Sequence, residues 1–185
     1  MKKFLLFVWE IVKITAITLA IIVPVRYFLI QPFFVKGASM EPNFEDGQYL
    51  VVDEISYRLR APERGEVIIF HYPLDPSQFY IKRIIGLPGE TVEIFEGRIK
   101  IFNSQHALGF ILDESGYLSG DVKTYGDTKV ILGENDFFVL GDNRQFSYDS
   151  RRWGAVPADK ITGKVWVRAW PLQTTEVFAA PQYSY

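Results

Sequence analysis

The sequence predicts a mainly β fold, an antiparallel β domain preceded by one N-terminal transmembrane helix. Two observations predict it. From position 4 to 30 the chain is apolar apart from Glu10, Lys13 and Arg26 among charged residues. After Pro32 the pattern breaks into short β-rich runs separated by Gly, Pro, Asp and Asn.

Taken in order, the apolar segment has the roughly 20 residues that a spanning helix needs. Its uncharged core, 14–25, is shorter, so spanning requires Lys13 and Arg26 to reach opposite interfaces. Met1-Lys2-Lys3 and Lys13 put positive charge before the segment, which orients the N-terminus to the cytoplasm and the rest of the chain outside. A cleavable secretory signal and a buried amphipathic helix compete with this reading, but Glu10 and Lys13 interrupt a signal's apolar region. Gln31-Pro32 marks the predicted exit. Strands are then predicted at 33–35, 49–53, 67–72, 79–85, 91–95, 98–102, 130–132, 137–140 and 161–169. Phe95-Glu96-Gly97-Arg98 reads as a hairpin turn, and Gly86-Leu87-Pro88-Gly89 as the turn ending the 79–85 strand. The predicted organisation is an anchor at 1–31, a β domain at 32–171 with a less ordered insert around 103–128, and a frayed tail at 172–185.

Composition narrows the chemistry. With 185 residues the chain holds one membrane segment and one domain of ordinary size. Its 20 basic residues are scattered and the net charge is -2, so no nucleic-acid partner is expected. There is no cysteine and only His71 and His106, which leaves no thiol nucleophile and no zinc-type ligand set.

Two short stretches suit the halves of a catalytic pair. Ser39 lies in Gly37-Ala38-Ser39-Met40-Glu41-Pro42, and Lys82 in Tyr80-Ile81-Lys82-Arg83-Ile84. A serine hydroxyl needs a base, and a lysine amine serves as one only when burial keeps it neutral. On a strand, Tyr80 and Ile84 share the face of Lys82 while Ile81 and Arg83 point away, so apolar neighbours would desolvate the amine. Lys82 is therefore expected to be substantially neutral near pH 8.

The Ser-Met-x-Pro run after an apolar segment, Tyr80-Ile81-Lys82-Arg83 with Gly-x-Pro-Gly, and the run Gly141-Asp142-Asn143-Arg144-Gln145-Phe146-Ser147-Tyr148-Asp149-Ser150-Arg151 together resemble the bacterial type I signal peptidases. The resemblance runs from about Ile14 to about Pro171. It implies the antiparallel β fold shared with LexA-like proteins, and a single-pass enzyme of the plasma membrane whose catalytic domain is extracytoplasmic. Such an enzyme is a serine endopeptidase that removes signal peptides from exported preproteins at small-x-small sites, without metal or cofactor. Preprotein signal peptides and the lipid bilayer are the implied partners, with the protein-export machinery as a further candidate. The resemblance makes Ser39 the nucleophile, Lys82 the general base and Ser147 the hydroxyl that hydrogen-bonds and orients the lysine. Asp142, Asn143, Arg144, Asp149 and Arg151 would brace that turn.

The oxyanion needs donors already aimed at it. The Ser39 backbone N–H is the natural first. Many relatives carry a serine two positions before the nucleophile as the second, where this chain has Gly37. A backbone N–H of the Gly37-Ala38 turn or a water must then substitute. Asn43 stands where threonine is more usual after the proline, with little expected effect on the mechanism. Phe33, Val35, Met40, Phe44, Leu50, Tyr80 and Ile81 are placed around the substrate pockets, with the peptide pairing against the predicted strands at 33–35 and 79–81. His71 ends a strand with nothing to orient it, and His106 lies in the polar insert. Two other functions compete: a membrane-tethered binding module without activity, and a LexA-type self-cleaving regulator. The second needs a DNA-binding N-terminal domain where this chain has an apolar segment.

Overall fold

The computed structural model describes residues 2–28, 30–181 and 183. Its elements in order are α1 (Lys2–Phe28), β1 (Ile30–Phe34), β2 (Tyr49–Asp53), α2 (Ser56–Leu59), β3 (Val67–Tyr72), β4 (Asp75–Gly86), β5 (Thr91–Phe95) and β6 (Arg98–Phe102). They continue with β7 (Phe110–Ile111), β8 (Thr128–Ile131), β9 (Asp136–Leu140), α3 (Ser150–Trp153), β10 (Val156–Pro157), β11 (Ile161–Trp170) and β12 (Glu176–Val177). The domain is mainly antiparallel β, in keeping with the short β-rich runs of the sequence.

One sheet runs β1-β2-β11-β3-β4-β9-β10, with β12 added to β11. A smaller sheet runs β7-β6-β5-β8. Although β2, β11 and β3 lie between β1 and β4 in the ladder, the rings of Phe33 on β1 and Phe79 on β4 stand 5.2 Å apart. The large sheet therefore curls until β1 faces the outer half of β4. Within the curl, Val35, Met40, Phe44, Leu50, Val52, Val67, Ile69, Ile81 and Val165 form one core cluster. β3 is buried on both faces, since Ile68 and Phe70 join Ile84, Phe137, Val139 and Val156 in another cluster. A third cluster joins the two sheets: Ile94 and Ile99 of the small sheet pack with Ile85, Phe138 and Leu140 of the large one.

The predicted hairpin closes through Glu96 (φ 51) and Gly97 (φ 79), the left-handed pair that a two-residue turn between right-twisted strands requires. β4 starts at Asp75, earlier than its apolar pattern shows, because its polar first residues pair with the end of β3. Gln31 and Pro32 do not mark a free exit: both lie in β1, opposite Val52 and Val51. A proline fits there because β1 is an edge strand.

Two segments expected to be loose are packed. In the insert, Leu112, Leu118 and Thr124 are buried, and Phe110 and Ile111 pair with Ile101 and Lys100 of β6. In the tail, β12 pairs with β11 and Phe178 packs on the first core cluster. Their apolar residues are too widely spaced to show a period, so pattern alone gave no sign of this. α1 exists as predicted, but among the described residues no helix is long and apolar enough to cross a membrane.

Candidate active site

Ser39 sits at the start of a tight turn between β1 and β2. The turn's ends are tied by Val35 N–H to Gln48 O (2.9 Å) and Gly47 N–H to Val35 O (3.1 Å). Phe44 N–H donates to Met40 O at 2.9 Å, a single helical turn that points Met40 and Phe44, four residues apart, into the core. Neither has any exposed surface, so both are corrected from pocket residues to anchors of the turn.

Lys82 lies on β4 opposite Ile68, with Tyr80 and Ile84 on its own face. It is only 4% exposed. Its Nζ stands 2.7 Å from Ser39 Oγ and donates to Ile81 O at 2.8 Å. Burial pulls its pKa from 10.5 down to about 8, against the opposing pull of the Asp149 and Asp142 carboxylates. An amine at that pKa, in contact with a hydroxyl, can take its proton near neutral pH.

The run 141–151 wraps both residues. Asn143 N–H donates to Ser39 O at 3.1 Å and its Nδ2 to Ala38 O at 2.9 Å. In a trans peptide the N–H points opposite the carbonyl, so fixing Ala38 O toward Asn143 aims the Ser39 N–H the other way. That N–H has no partner among the described residues. Gly37 N–H, by contrast, donates to Asp46 Oδ1 at 2.7 Å. Its expected part in the oxyanion site is corrected: the donor is already taken.

Ser147 does not hydrogen-bond the lysine in this structure. Its Oγ is buried without a partner among the described residues, because Lys82 Nζ is turned to Ser39 and to the Ile81 carbonyl. It is nevertheless adjacent to the nucleophile: a Cβ on Gly141 would collide with both Ser147 Oγ and Ser39 O. Glycine is required at 141 by that approach rather than by its backbone angles.

The bracing residues pair in ways that short-range sequence does not show. Asp142 accepts from Arg83 Nε (2.8 Å) and Arg83 Nη2 (2.6 Å) in the interior, and from the half-buried Asn43 Nδ2 (2.8 Å). Arg83 also donates to Gly65 O and lies 4.1 Å over the Tyr117 ring. Arg144 is held by Glu114, Thr124 and Gly141 O. Asp149 caps α3, accepts from Gly141 N–H and pairs with Arg151. Asn43, Glu114 and Tyr117 were missed as parts of this site. Asn43 meets Tyr117 O and Asp142 across 74 and 99 positions, and Glu114 meets Arg144 across 30, beyond any local signal.

A groove of about 680 Å³ opens beside Ser39 and Lys82. Of the expected pocket residues, Phe33, Val35, Leu50, Tyr80 and Ile81 line it. Phe34 and Phe79, in the strands expected to pair with the peptide, also line it, and Ile69, Gln78, Phe146 and Tyr148 do so without having been anticipated. Gln78 follows from alternation along β4 with Tyr80 and Lys82, and Phe146 and Tyr148 from flanking Ser147. β1 is paired on one side only, and β9 reaches β4 only from Arg83 onward, so both walls of the groove carry open strand edges. His71 stands outside it, its Nδ1–H donating to Pro76 O at 2.7 Å, and His106 is tied into the turn at Asn103. No cluster of metal-ligating side chains occurs among the described residues.

Comparison with known proteins gives one consistent picture. A family model described as "Signal peptidase, peptidase S26" matches residues 8–170. "Probable signal peptidase I-2" of Synechocystis sp. is 39% identical over 165 residues, covering 86% of this chain and 71% of that protein. "Signal peptidase I" of Leptolyngbya laminosa is 35% identical, with 94% and 86% covered, and "Signal peptidase IB" of Staphylococcus aureus is 32% identical, with 92% of each covered.

Proposed function

The chain belongs to the S26 family of signal peptidases, and on that premise we propose that Ser39 and Lys82 carry its hydrolytic chemistry. It is a signal peptidase I, a serine hydrolase that cleaves signal peptides. The observation that carries the assignment of the pair is the buried Lys82 amine, its pKa lowered to about 8, at 2.7 Å from the Ser39 hydroxyl.

In the neutral form of Lys82 the Ser39 O–H donates to Nζ. As Oγ attacks the peptide carbonyl, that proton passes to the amine, and the oxyanion forms against the Ser39 N–H. The ammonium then returns the proton to the leaving amine, and the neutral lysine activates the water that hydrolyses the acyl-enzyme. Ser147 accepts a hydrogen from Nζ when the lysine is charged; its buried, unpartnered Oγ beside the nucleophile supports that role. Asp142, Asn143, Arg144, Asp149 and Arg151 hold the frame.

The substrate lies extended between β1 and β4, adding main-chain hydrogen bonds to their open edges. The close approach of Phe33 and Phe79 leaves little width and favours small side chains beside the scissile bond. Exported preproteins carrying signal peptides are the substrates, and the export machinery is a further candidate partner.

The enzyme is held at the membrane by α1, with the β domain outside. The support is the helix surface: Phe4, Leu6, Phe7, Trp9, Ile11, Ile14, Ile17, Leu19 and Ile22 are all exposed, and a helix apolar on every side requires an apolar medium. At about 1.5 Å per residue its 27 residues reach about 40 Å.

The decisive experiment incubates detergent-solubilised protein with a labelled preprotein, beside Ser39→Ala and Lys82→Ala. Processing by the unmodified protein alone is expected. Equal processing by either variant refutes the pair.

A further inference from the structure

The family match ends at residue 170, yet the chain continues into the back of the site. β12 pairs with β11 at Val167↔Val177 and Arg168↔Glu176. Trp166 sits at a bulge in β11, and its carbonyl accepts Phe178 N–H at 2.8 Å. Phe178 then lands on Phe44, ring centroids 4.6 Å apart. Phe44 closes the helical turn that begins one residue after Ser39. Arg168 approaches the same turn: Nη1 donates to Asn43 O at 2.8 Å, Nη2 to Glu176 at 2.6 Å and Nε to Thr174 O at 2.7 Å, with the guanidinium over the Phe178 ring. Asn43 in turn donates to Asp142, the partner of Arg83. Farther on, Pro181 and Tyr183 pack over Gly65, where a Cβ would come within 2.6 Å of each, and Gly65 O accepts from Arg83.

The segment thus touches both halves of the pair, at the turn bearing Ser39 and at the brace beside Lys82. None of it lines the groove.

We propose that residues 176–181 and Tyr183 form a clasp that sets the Ser39–Lys82 separation, with Phe178 and Arg168 as positioning residues. The proposal rests on Ser39 and Lys82 being the catalytic pair. The Ser39 turn lies between strands and is held from the front by Asn143 at Ala38 O and Ser39 O. From behind, Phe178 covers Phe44, and Arg168 fixes the Asn43 carbonyl. Without that backing the turn gains slack, and a misplacement of about 1 Å costs up to about a hundredfold in rate. Neither side chain lines the groove, so the effect falls on turnover.

The test uses the full-length solubilised protein and a labelled preprotein, with active sites counted from the burst of the first turnover. Phe178→Ala and Arg168→Gln are each expected to lower kcat per counted site by roughly tenfold or more, with KM within about twofold of the unmodified protein. Phe178→Leu, which keeps most of the apolar cover, is expected to recover most of the loss. Unchanged kcat per site in Arg168→Gln or in folded Phe178→Ala overturns the proposal, as does a rise in KM alone. If Phe178→Ala does not fold, Arg168→Gln decides, since it opens no apolar cavity. Ser39→Ala runs in parallel, and processing by that variant would break the catalytic assignment instead of the clasp.

Discussion

Replacing Lys82 by methionine is expected to abolish turnover and to make the protein more stable. Lys82 is buried, and its pKa falls from 10.5 to about 8 because burial disfavours the ammonium. At about 1.4 kcal/mol per unit, the protonated folded state carries a penalty of about 3 kcal/mol relative to the unfolded chain. Below pH 8 the lysine is charged in both states and the penalty is complete. Between pH 8 and 10.5 the folded state has lost the proton that the unfolded state still binds, so stability climbs with pH. Above 10.5 both are neutral and the penalty is gone. Methionine occupies similar space without a charge, but it forfeits the hydrogen bonds to Ile81 O and Ser39 Oγ, worth about 1 kcal/mol each. The net gain at pH 7 is about 1 kcal/mol, or about 2–4 °C in Tm for a chain of this size. Urea unfolding followed by tryptophan fluorescence, run on both proteins from pH 6 to 11, measures the difference directly. The reasoning is refuted if Lys82→Met is no more stable at pH 7, or if the gap between the two proteins stays constant to pH 11.

Other outcomes follow from the same geometry. Single-turnover acylation should fall about tenfold per pH unit below a midpoint near pH 8 and level off above it, since only neutral Lys82 accepts the Ser39 proton; a flat profile from pH 6 to 8 would contradict this. Asp142→Asn leaves the buried Arg83 guanidinium without its carboxylate and should cost about 3–5 kcal/mol in denaturant unfolding. In whatever fraction of that variant folds, the acylation midpoint should move to lower pH, because a carboxylate that raises the Lys82 pKa is gone. Gly141→Ala should lose nearly all turnover, since the added methyl displaces the Ser39 carbonyl and Ser147 together; normal kcat would show that the turn tolerates the shift.

The strands were legible because their side chains alternate between a core and an outer face, and Lys82 was legible because Tyr80 and Ile84 flank it at the strand period. Met40 and Phe44 misled for the opposite reason. They neighbour Ser39 in sequence, but one helical turn sends both inward, and the turn is visible only in three dimensions. The Gly37 N–H looked available because the aspartate that takes it lies nine positions on. The ion pairs under the site join Arg83 to Asp142 and Arg144 to Glu114, contacts that a single sequence has no means to display. The tail was unreadable because Phe178, partly buried on the core, belongs to no period, and its purpose depends on Phe44, far back in the chain.

Pro32 has a consequence for solubility. An unpaired strand edge beside an apolar groove invites the same edge of a second molecule to zip against it, the first step toward aggregation. On β1 the proline removes one donor from that edge, so a long ladder between two copies is interrupted at its middle residue. A short guest peptide, needing only a few bonds on either side of that gap, is still accommodated.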